Sequence, residues 1–207
     1  MGLYERWVLP RLLDSAMAFP ALDDERRRCL SSARGRVLEV GFGSGRNLPW
    51  YPSSVERLVA VDPSGESARL ARPRIAQASF PVEYVRLAGE SIDAPSQSFD
   101  CVVSTFTLCS IPEPHAALQQ MRRVLKPGGK LLFAEHGLAP DAGVQRWQRR
   151  LNRLQNLLFG GCNLDRNTRK LLTESGFRIE DAEQYYVQGV PRFAGFLTRG
   201  VASIDAA

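Results

Sequence analysis

Apolar positions along the chain follow two alternating rhythms. Short runs of continuous or β-branched apolar residues at 36–40, 57–61, 82–87, 99–104 and 130–135 are bounded by Gly, Pro, Asp and Ser. They predict strands covered on both faces. Between them, the segments 47–51 (short), 67–77 and 115–125 carry apolar residues at three- and four-residue spacing and predict helices. Strand and helix in alternation predict right-handed crossovers and a mostly parallel sheet.

The flanks read differently. Before Gly35 two helices are predicted, the first with an apolar stripe through Leu9, Leu12, Leu13, Ala16 and Met17. The run 8–22 is broken by Arg11, Asp14 and two prolines, so it is expected to pack over the domain rather than to act as a signal peptide or a spanning helix. Past His136 a loop at 137–143 leads to a basic helix at 144–159 and a helix at 165–175 that stops at Gly176. Strands at 177–186 and 192–199 then form an antiparallel C-terminal edge. The pattern adds up to one α/β domain with a seven-stranded, doubly wound sheet.

Composition narrows the function classes. With 207 residues, 44% hydrophobic and 24% charged, the chain can bury a core without staples, which excludes a disordered tail and a small cysteine scaffold. Cys29, Cys101, Cys109 and Cys162 show no Cys-x-x-Cys pairing, so neither a zinc site nor a disulfide framework is expected, no metal is assigned, and a reducing, cytoplasmic setting is the default. The net charge of +5 comes almost wholly from scattered arginine. It permits an anionic partner, yet no basic, aromatic-interleaved patch accompanies it, so no nucleic acid is expected.

The most informative stretch is Val37-Leu38-Glu39-Val40-Gly41-Phe42-Gly43-Ser44-Gly45, a strand entering a glycine turn. Glycines at alternate positions let the backbone take positive φ and let a ligand approach it closely. A dinucleotide loop needs its third glycine where this chain has Arg46, which argues against nicotinamide and flavin cofactors. Asp62 ends the next strand about 20 residues beyond Gly41, where an acid would hydrogen-bond ribose hydroxyls.

Glu39, the Gly41-x-Gly43-x-Gly45 spacing and Asp62 resemble the donor motifs of class I S-adenosylmethionine-dependent methyltransferases. Ala88-Gly89-Glu90-Ser91 is similar to that family's adenine-side loop. The strings at 98–108 and 123–130 look like its fourth strand with exit loop and the turn entering its fifth strand. The resemblance covers 35–137, and the subgroup is the one that includes ubiquinone and menaquinone methyltransferases. Thr107-Leu108-Cys109-Ser110-Ile111, Glu135-His136 and Gly161-Cys162-Asn163-Leu164-Asp165-Arg166 narrow it toward thiol S-methyltransferases and their bacterial relatives. Their N-terminal membrane anchor is not expected here.

The resemblance implies a Rossmann-like fold with S-adenosyl-L-methionine as cofactor. It implies a donor site of Glu39, Gly41, Phe42, Gly43, Gly45, Asn47, Asp62, Pro63, Ser64, Gly89, Glu90, Ser91, Thr105 and Phe106. It divides the single methyltransferase domain, 1–207, into an N-terminal helical lid (1–34), a cofactor-binding core (35–137), a helical insertion (138–163) and a C-terminal helix and strands (164–207). The acceptor is expected to be a small molecule, with sulfur first and oxygen, nitrogen or a lipid headgroup amine as alternatives, because no Asn/Asp-Pro-Pro-aromatic string follows the fourth strand. His136, at the end of a buried strand, is the candidate base for a thiol, its reference pKa of about 6.5 lying below the thiol's 8.5 or so. A structural hydrogen bond to the loop is the competing reading. Tyr4, Trp7, Cys109, Trp147, Cys162 and Asn163 are the candidate acceptor residues, although Asn163 and Asp165 equally read as caps of the next helix. The stretch Arg146-Trp147-Gln148-Arg149-Arg150 is the segment expected to make any peripheral membrane contact. The donor motifs alone also fit a cofactor-binding protein without turnover.

Overall fold

The computed structural model describes residues 3–204. A turn of π-helix (Tyr4–Val8) runs into α1 (Leu9–Ala16), and α2 (Pro20–Leu30) follows. The alternating core comprises β1 (Gly35–Val40), β2 (Val55–Val61), α3 (Gly65–Ile75), β3 (Val82–Val85), β4 (Phe99–Thr105), α4 (Pro114–Val124) and β5 (Leu125–His136). The C-terminal part adds α5 (Ala142–Leu158), α6 (Thr168–Glu174), β6 (Arg178–Tyr186), the single turn α7 (Arg192–Gly195) and β7 (Phe196–Ser203). The sheet order is β3-β2-β1-β4-β5-β7-β6. Strands β1 to β5 pair in parallel, and β7 runs antiparallel to both neighbours. This is the seven-stranded, doubly wound sheet that the alternation predicts.

Successive strand residues feed opposite layers, which is why the strands read as continuous apolar runs. Val37, Leu58, Ala60, Val103 and Leu132 pack beneath α2 and α3, against Leu30 and Ala71. Leu38, Val59, Val102, Leu131 and Phe133 pack on the other face against Leu118 and Met121 of α4 and Leu172 of α6. Truncating a fully buried leucine among these, such as Leu38, Leu58 or Leu131, to alanine costs about 2–5 kcal/mol.

Among the boundaries that differ from the sequence pattern, two in the C-terminal part have a clear local cause. The segment 192–199 is not one strand: Pro191, with φ −53°, opens the turn α7, and the strand begins only at Phe196. The helix predicted from 165 starts at Thr168, because the Asn167 side chain accepts the Lys170 N–H at 3.1 Å and so caps that position. Elsewhere the predicted 47–51 helix is a 3-10 turn, Leu48–Trp50. No helix among the described residues is long and apolar enough to cross a membrane.

Candidate functional site

Strand order reverses beside β1, which has β2 on one side and β4 on the other, so a crevice opens at the carboxyl ends of the strands. A cavity of about 1360 Å³ occupies this position. A second pocket, about 280 Å³ and lined by Ser32, Arg34, Asp100 and Lys130, lies at the opposite edge, where the strands begin and α/β sites do not form.

At the β1–β2 end, Asp62 organises the glycine turn. Its Oδ2 accepts the Gly43 N–H and its Oδ1 the Ser64 N–H, both at 2.9 Å. Burial raises its pKa, opposed by these backbone bonds. Each carboxylate oxygen retains acceptor capacity on the cavity side, as a vicinal diol requires. The glycines divide the work in a way that spacing alone does not reveal. At Gly41 (φ +75°) a Cβ would lie 2.2 Å from the Thr107 side chain, so protein packing imposes that glycine. At Gly43 (φ +57°) a Cβ would meet nothing closer than 4.0 Å, and there the bare backbone faces the cavity. Gly45 packs on Phe42 and Leu48 and lies off the cavity wall.

Behind the turn is a buried polar network. Glu39 accepts from Asn47 Nδ2 at 2.9 Å and from the Tyr51 hydroxyl at 2.7 Å, and burial pushes its carboxyl up to about 7. Asn47 Nδ2 also donates to Thr105 Oγ1 at 2.9 Å, which leaves Asn47 Oδ1 buried without a partner. An orphaned buried acceptor costs about 1–3 kcal/mol, and because Asn47 lines the cavity, a ligand ammonium would satisfy it. The amino-acid end of S-adenosylmethionine carries that group, so the residues present fit the cofactor.

The exit of β4 is strained and braced. Phe106 has φ +54°, a conformation that residues other than glycine seldom adopt, and the buried Arg26 lies 5.4 Å over its ring. The buried carboxylate of Glu135 accepts from the Ser104 hydroxyl at 2.7 Å and from the Thr107 N–H at 2.8 Å, which pins the turn.

At the β4–β5 end three sulfur and nitrogen donors converge. His136 Nε2 lies 2.9 Å from Cys162 Sγ, and Cys162 Sγ lies 3.8 Å from Cys109 Sγ. The Cys109 contact, with burial second, drives the Cys162 pKa upward. Burial pulls His136 down, but the hydrogen bond and charge of Cys162, together with Glu135, outweigh it and leave the imidazole raised. Both shifts make the pair hold its protons. The two cysteine loops are stapled together: the Asn163 N–H and side-chain amide donate to Cys109 O at 2.9 and 3.0 Å, and Arg166 Nη1 donates to the Leu108 and Ile111 carbonyls at 2.5 and 2.6 Å.

The cavity wall therefore brings together Glu39, Gly41, Phe42, Gly43 and Asn47 with Asp62, Pro63 and Ser64. Gly89, Glu90, Thr105 and Phe106 complete the expected donor side, and Trp7, Cys109, His136 and Cys162, expected for the acceptor, line the same cavity. Five of the expected residues lie off the wall. Gly45 packs as described; Ser91 closes a turn to Ala88 O; and Asn163 spends its side chain on loop carbonyls. The Tyr4 hydroxyl donates to Leu158 O at 2.7 Å, and Trp147 is 56% exposed, with Arg150 over its ring. His115 hydrogen-bonds Ser175, away from the site. Sequence reasoning missed Arg26, Tyr51, Thr107 and Glu135. An acid directly before His136 at a strand end was a readable signal for Glu135; Arg26 was hidden in a run of charged helix residues. The same reasoning named Cys109, His136 and Cys162 one by one for the acceptor site but not their convergence into a cluster, since the donors come from three separate segments rather than one spaced motif.

Comparison with known proteins accords with this geometry. A methyltransferase domain family matches residues 38–133. Human thiol S-methyltransferase TMT1A is 35% identical over 152 residues, which are 70% of this chain and 61% of the human protein. The phosphatidylethanolamine N-methyltransferase of Cereibacter sphaeroides is 30% identical over 159 residues, 75% of this chain and 76% of that protein. A solved S-adenosylmethionine-dependent methyltransferase from Methanosarcina mazei has a TM-score of 0.64 at 20% identity, covering 82% of this chain and 92% of that one, and shares the fold.

Proposed function

Because the chain belongs to the class I S-adenosylmethionine-dependent methyltransferase family, we propose that it methylates a small, apolar thiol. The cofactor, when bound, supplies a methyl group made electrophilic by its sulfonium. The protein's part is to align, exclude water and keep a sulfur lone pair available. Asp62 would take the ribose hydroxyls, the bare Gly43 backbone would admit the nucleoside, and Asn47 Oδ1 would take the ammonium. Trp7, Leu13, Phe159 and Leu197 wall the acceptor side with apolar surface.

One observation carries the choice of sulfur: the acceptor end offers His136 and two thiols but no uncommitted carboxylate among the described residues. Asp14 is held by Ser44, Arg46 and Arg74, Glu66 by Arg11 and Arg69, and Glu135 by Ser104 and Thr107. A protonated amine would enter without a counter-charge. A thiol, with a reference pKa of about 8.5, instead meets an imidazole that favours its thiolate. The relative with thiol S-methyltransferase in its name supports the same choice.

A labelled-methyl assay over thiols, phenols, amines and phospholipid vesicles tests this. Thiols should turn over fastest, and turnover confined to phosphatidylethanolamine would overturn it. Cofactor binding with no methylated product from any acceptor would leave a non-catalytic binding protein. The lipid reading has one observation of its own: Trp147 is 56%, Leu154 53% and Leu157 74% exposed on α5, among Arg149, Arg150 and Arg153. Co-sedimentation with anionic vesicles tests that surface as a peripheral membrane contact.

A further inference from the structure

We propose that Cys109, His136 and Cys162 form a zinc site with an open fourth position, and that the acceptor thiol binds there as a thiolate. This deepens the thiol reading and rests on it.

The donor atoms come from the β4 exit loop, the end of β5 and the loop after α5, and all lie within 4.8 Å of one another. The Sγ–Sγ separation of 3.8 Å equals the edge of a tetrahedron built on Zn–S bonds of about 2.3 Å. The His136 Nε2–Cys162 Sγ distance of 2.9 Å is a hydrogen bond, shorter than the roughly 3.5 Å edge for a nitrogen and a sulfur on one zinc. The ring therefore has to move about 0.6 Å away from Cys162 while settling within about 3.5 Å of Cys109, from which it lies no more than 4.8 Å.

Three features make this more than a chance meeting of polar atoms. The cysteine loops are fixed to each other by Asn163 and Arg166 independently of any bond between the sulfurs. Gly161 (φ +85°) passes so close to the other loop that a Cβ there would lie 3.1 Å from Ser110 O. Cys109 and Cys162 are only 3% and 7% exposed, yet both line the cavity with His136, so an open coordination position faces the acceptor space.

Soft thiolate and imidazole donors select zinc over hard cations, and two cysteines with one histidine are a ligand set that leaves room for substrate. Zinc entry breaks the Cys109 and Cys162 S–H bonds and releases their protons to solvent, and the two thiolates neutralise the metal's charge. When the acceptor coordinates, its S–H bond breaks, a Zn–S bond forms and the proton passes to solvent; the sulfur keeps a lone pair. The complex then carries a net single negative charge, which favours a neighbouring sulfonium. His136 acts as a ligand in this arrangement, and the metal favours the thiolate.

The test loads reduced, full-length protein with zinc, removes excess, and measures bound metal, with cobalt substitution to read thiolate-to-metal charge transfer. The expected result is about one equivalent of zinc, with Cys109→Ser and Cys162→Ser each weakening it at least about a hundredfold. Cys29→Ala and Cys101→Ala, in the core beneath α2, should leave it unchanged. Calorimetry with S-adenosylmethionine on every variant reports folding and should not move. Recovery of a Cys109–Cys162 disulfide that takes up no zinc once reduced overturns the proposal, as does equal loss from all four cysteine variants. Zinc uptake failing while thiols are still methylated sinks the metal site alone; zinc bound while only lipid is methylated sinks the thiol reading and the thiolate role of the site, and leaves the metal site itself standing.

Discussion

The two ends of the cleft are built by opposite strategies. Most of the donor end comes from one continuous stretch, Glu39 to Ser64, closed on itself by the Asp62 bonds to the Gly43 and Ser64 N–H groups, with Gly89, Glu90, Thr105 and Phe106 added from two later loops. The acceptor end is gathered from the β4 exit loop, the β5 terminus and the segment after α5, held together by long-range hydrogen bonds from Asn163 and Arg166 and by Glu135, which pins the β4 exit to β5. A backbone-defined site is constrained to one ligand geometry. A site assembled from side chains on separate loops can change its substrate by altering one loop, which explains how relatives with one shared fold carry thiol and phospholipid acceptors in their names.

If the ends are separable, single substitutions should damage one and spare the other. Asp62→Ala should lower S-adenosylmethionine affinity about a thousandfold, through two lost charge-assisted bonds, and leave acceptor KM within about twofold. His136→Asn should do the converse, cutting kcat/KM about a thousandfold while calorimetric cofactor affinity stays within about twofold. Parallel losses in both parameters for both variants would mean that the ends are one coupled site.

The same contrast explains what the sequence revealed. The sheet was legible because strands buried on both faces show as unbroken apolar runs, and the donor turn because its residues are neighbours in the chain. Packing roles were not: Gly41 is required by Thr107, a residue from the β4 exit, and no spacing rule connects them. Cys109, His136 and Cys162 were each legible as acceptor candidates, but their convergence was not, since they share no segment. That Trp147 lies off the cavity wall was not legible, because helical periodicity identifies an amphipathic helix without saying which way each aromatic points.

A smaller effect probes the donor end from inside. Glu39, fully buried, has its carboxyl pushed up to about 7 by desolvation, against about 4.5 in an unfolded chain. Between those values the native state keeps a proton that the unfolded state releases. The stability due to the protonated form is complete below the unfolded value and is lost as pH rises through the folded one. At 1.36 kcal/mol per unit this amounts to roughly 3 kcal/mol between about pH 4 and 8. Glu39→Gln, neutral throughout and still able to pair with Asn47 and Tyr51, should flatten that part of the profile. Asp62 and Glu135 are raised by burial too, so urea titrations must compare the variant with the parent at each pH. Parallel profiles would show Glu39 ionised in the native state, and the donor network would then be a charged one.

The smallest expected effect sharpens the acceptor end. Trp7 stands on the cavity wall, 41% exposed, whereas Trp147 is outside it and 56% exposed. Trp7→Ala removes apolar surface that an acceptor would bury and should raise acceptor KM about tenfold with cofactor affinity unchanged. Trp147→Ala should leave both within about twofold. Tyr4→Phe, which deletes the bond to Leu158 O, falls between them because it only loosens the turn carrying Trp7. An equal KM increase for the two tryptophans would mean that the acceptor arrives across the outer face of α5, as a lipid-borne substrate would. The acceptor end would then extend from the cleft onto that surface, and its chemistry would have to be sought there.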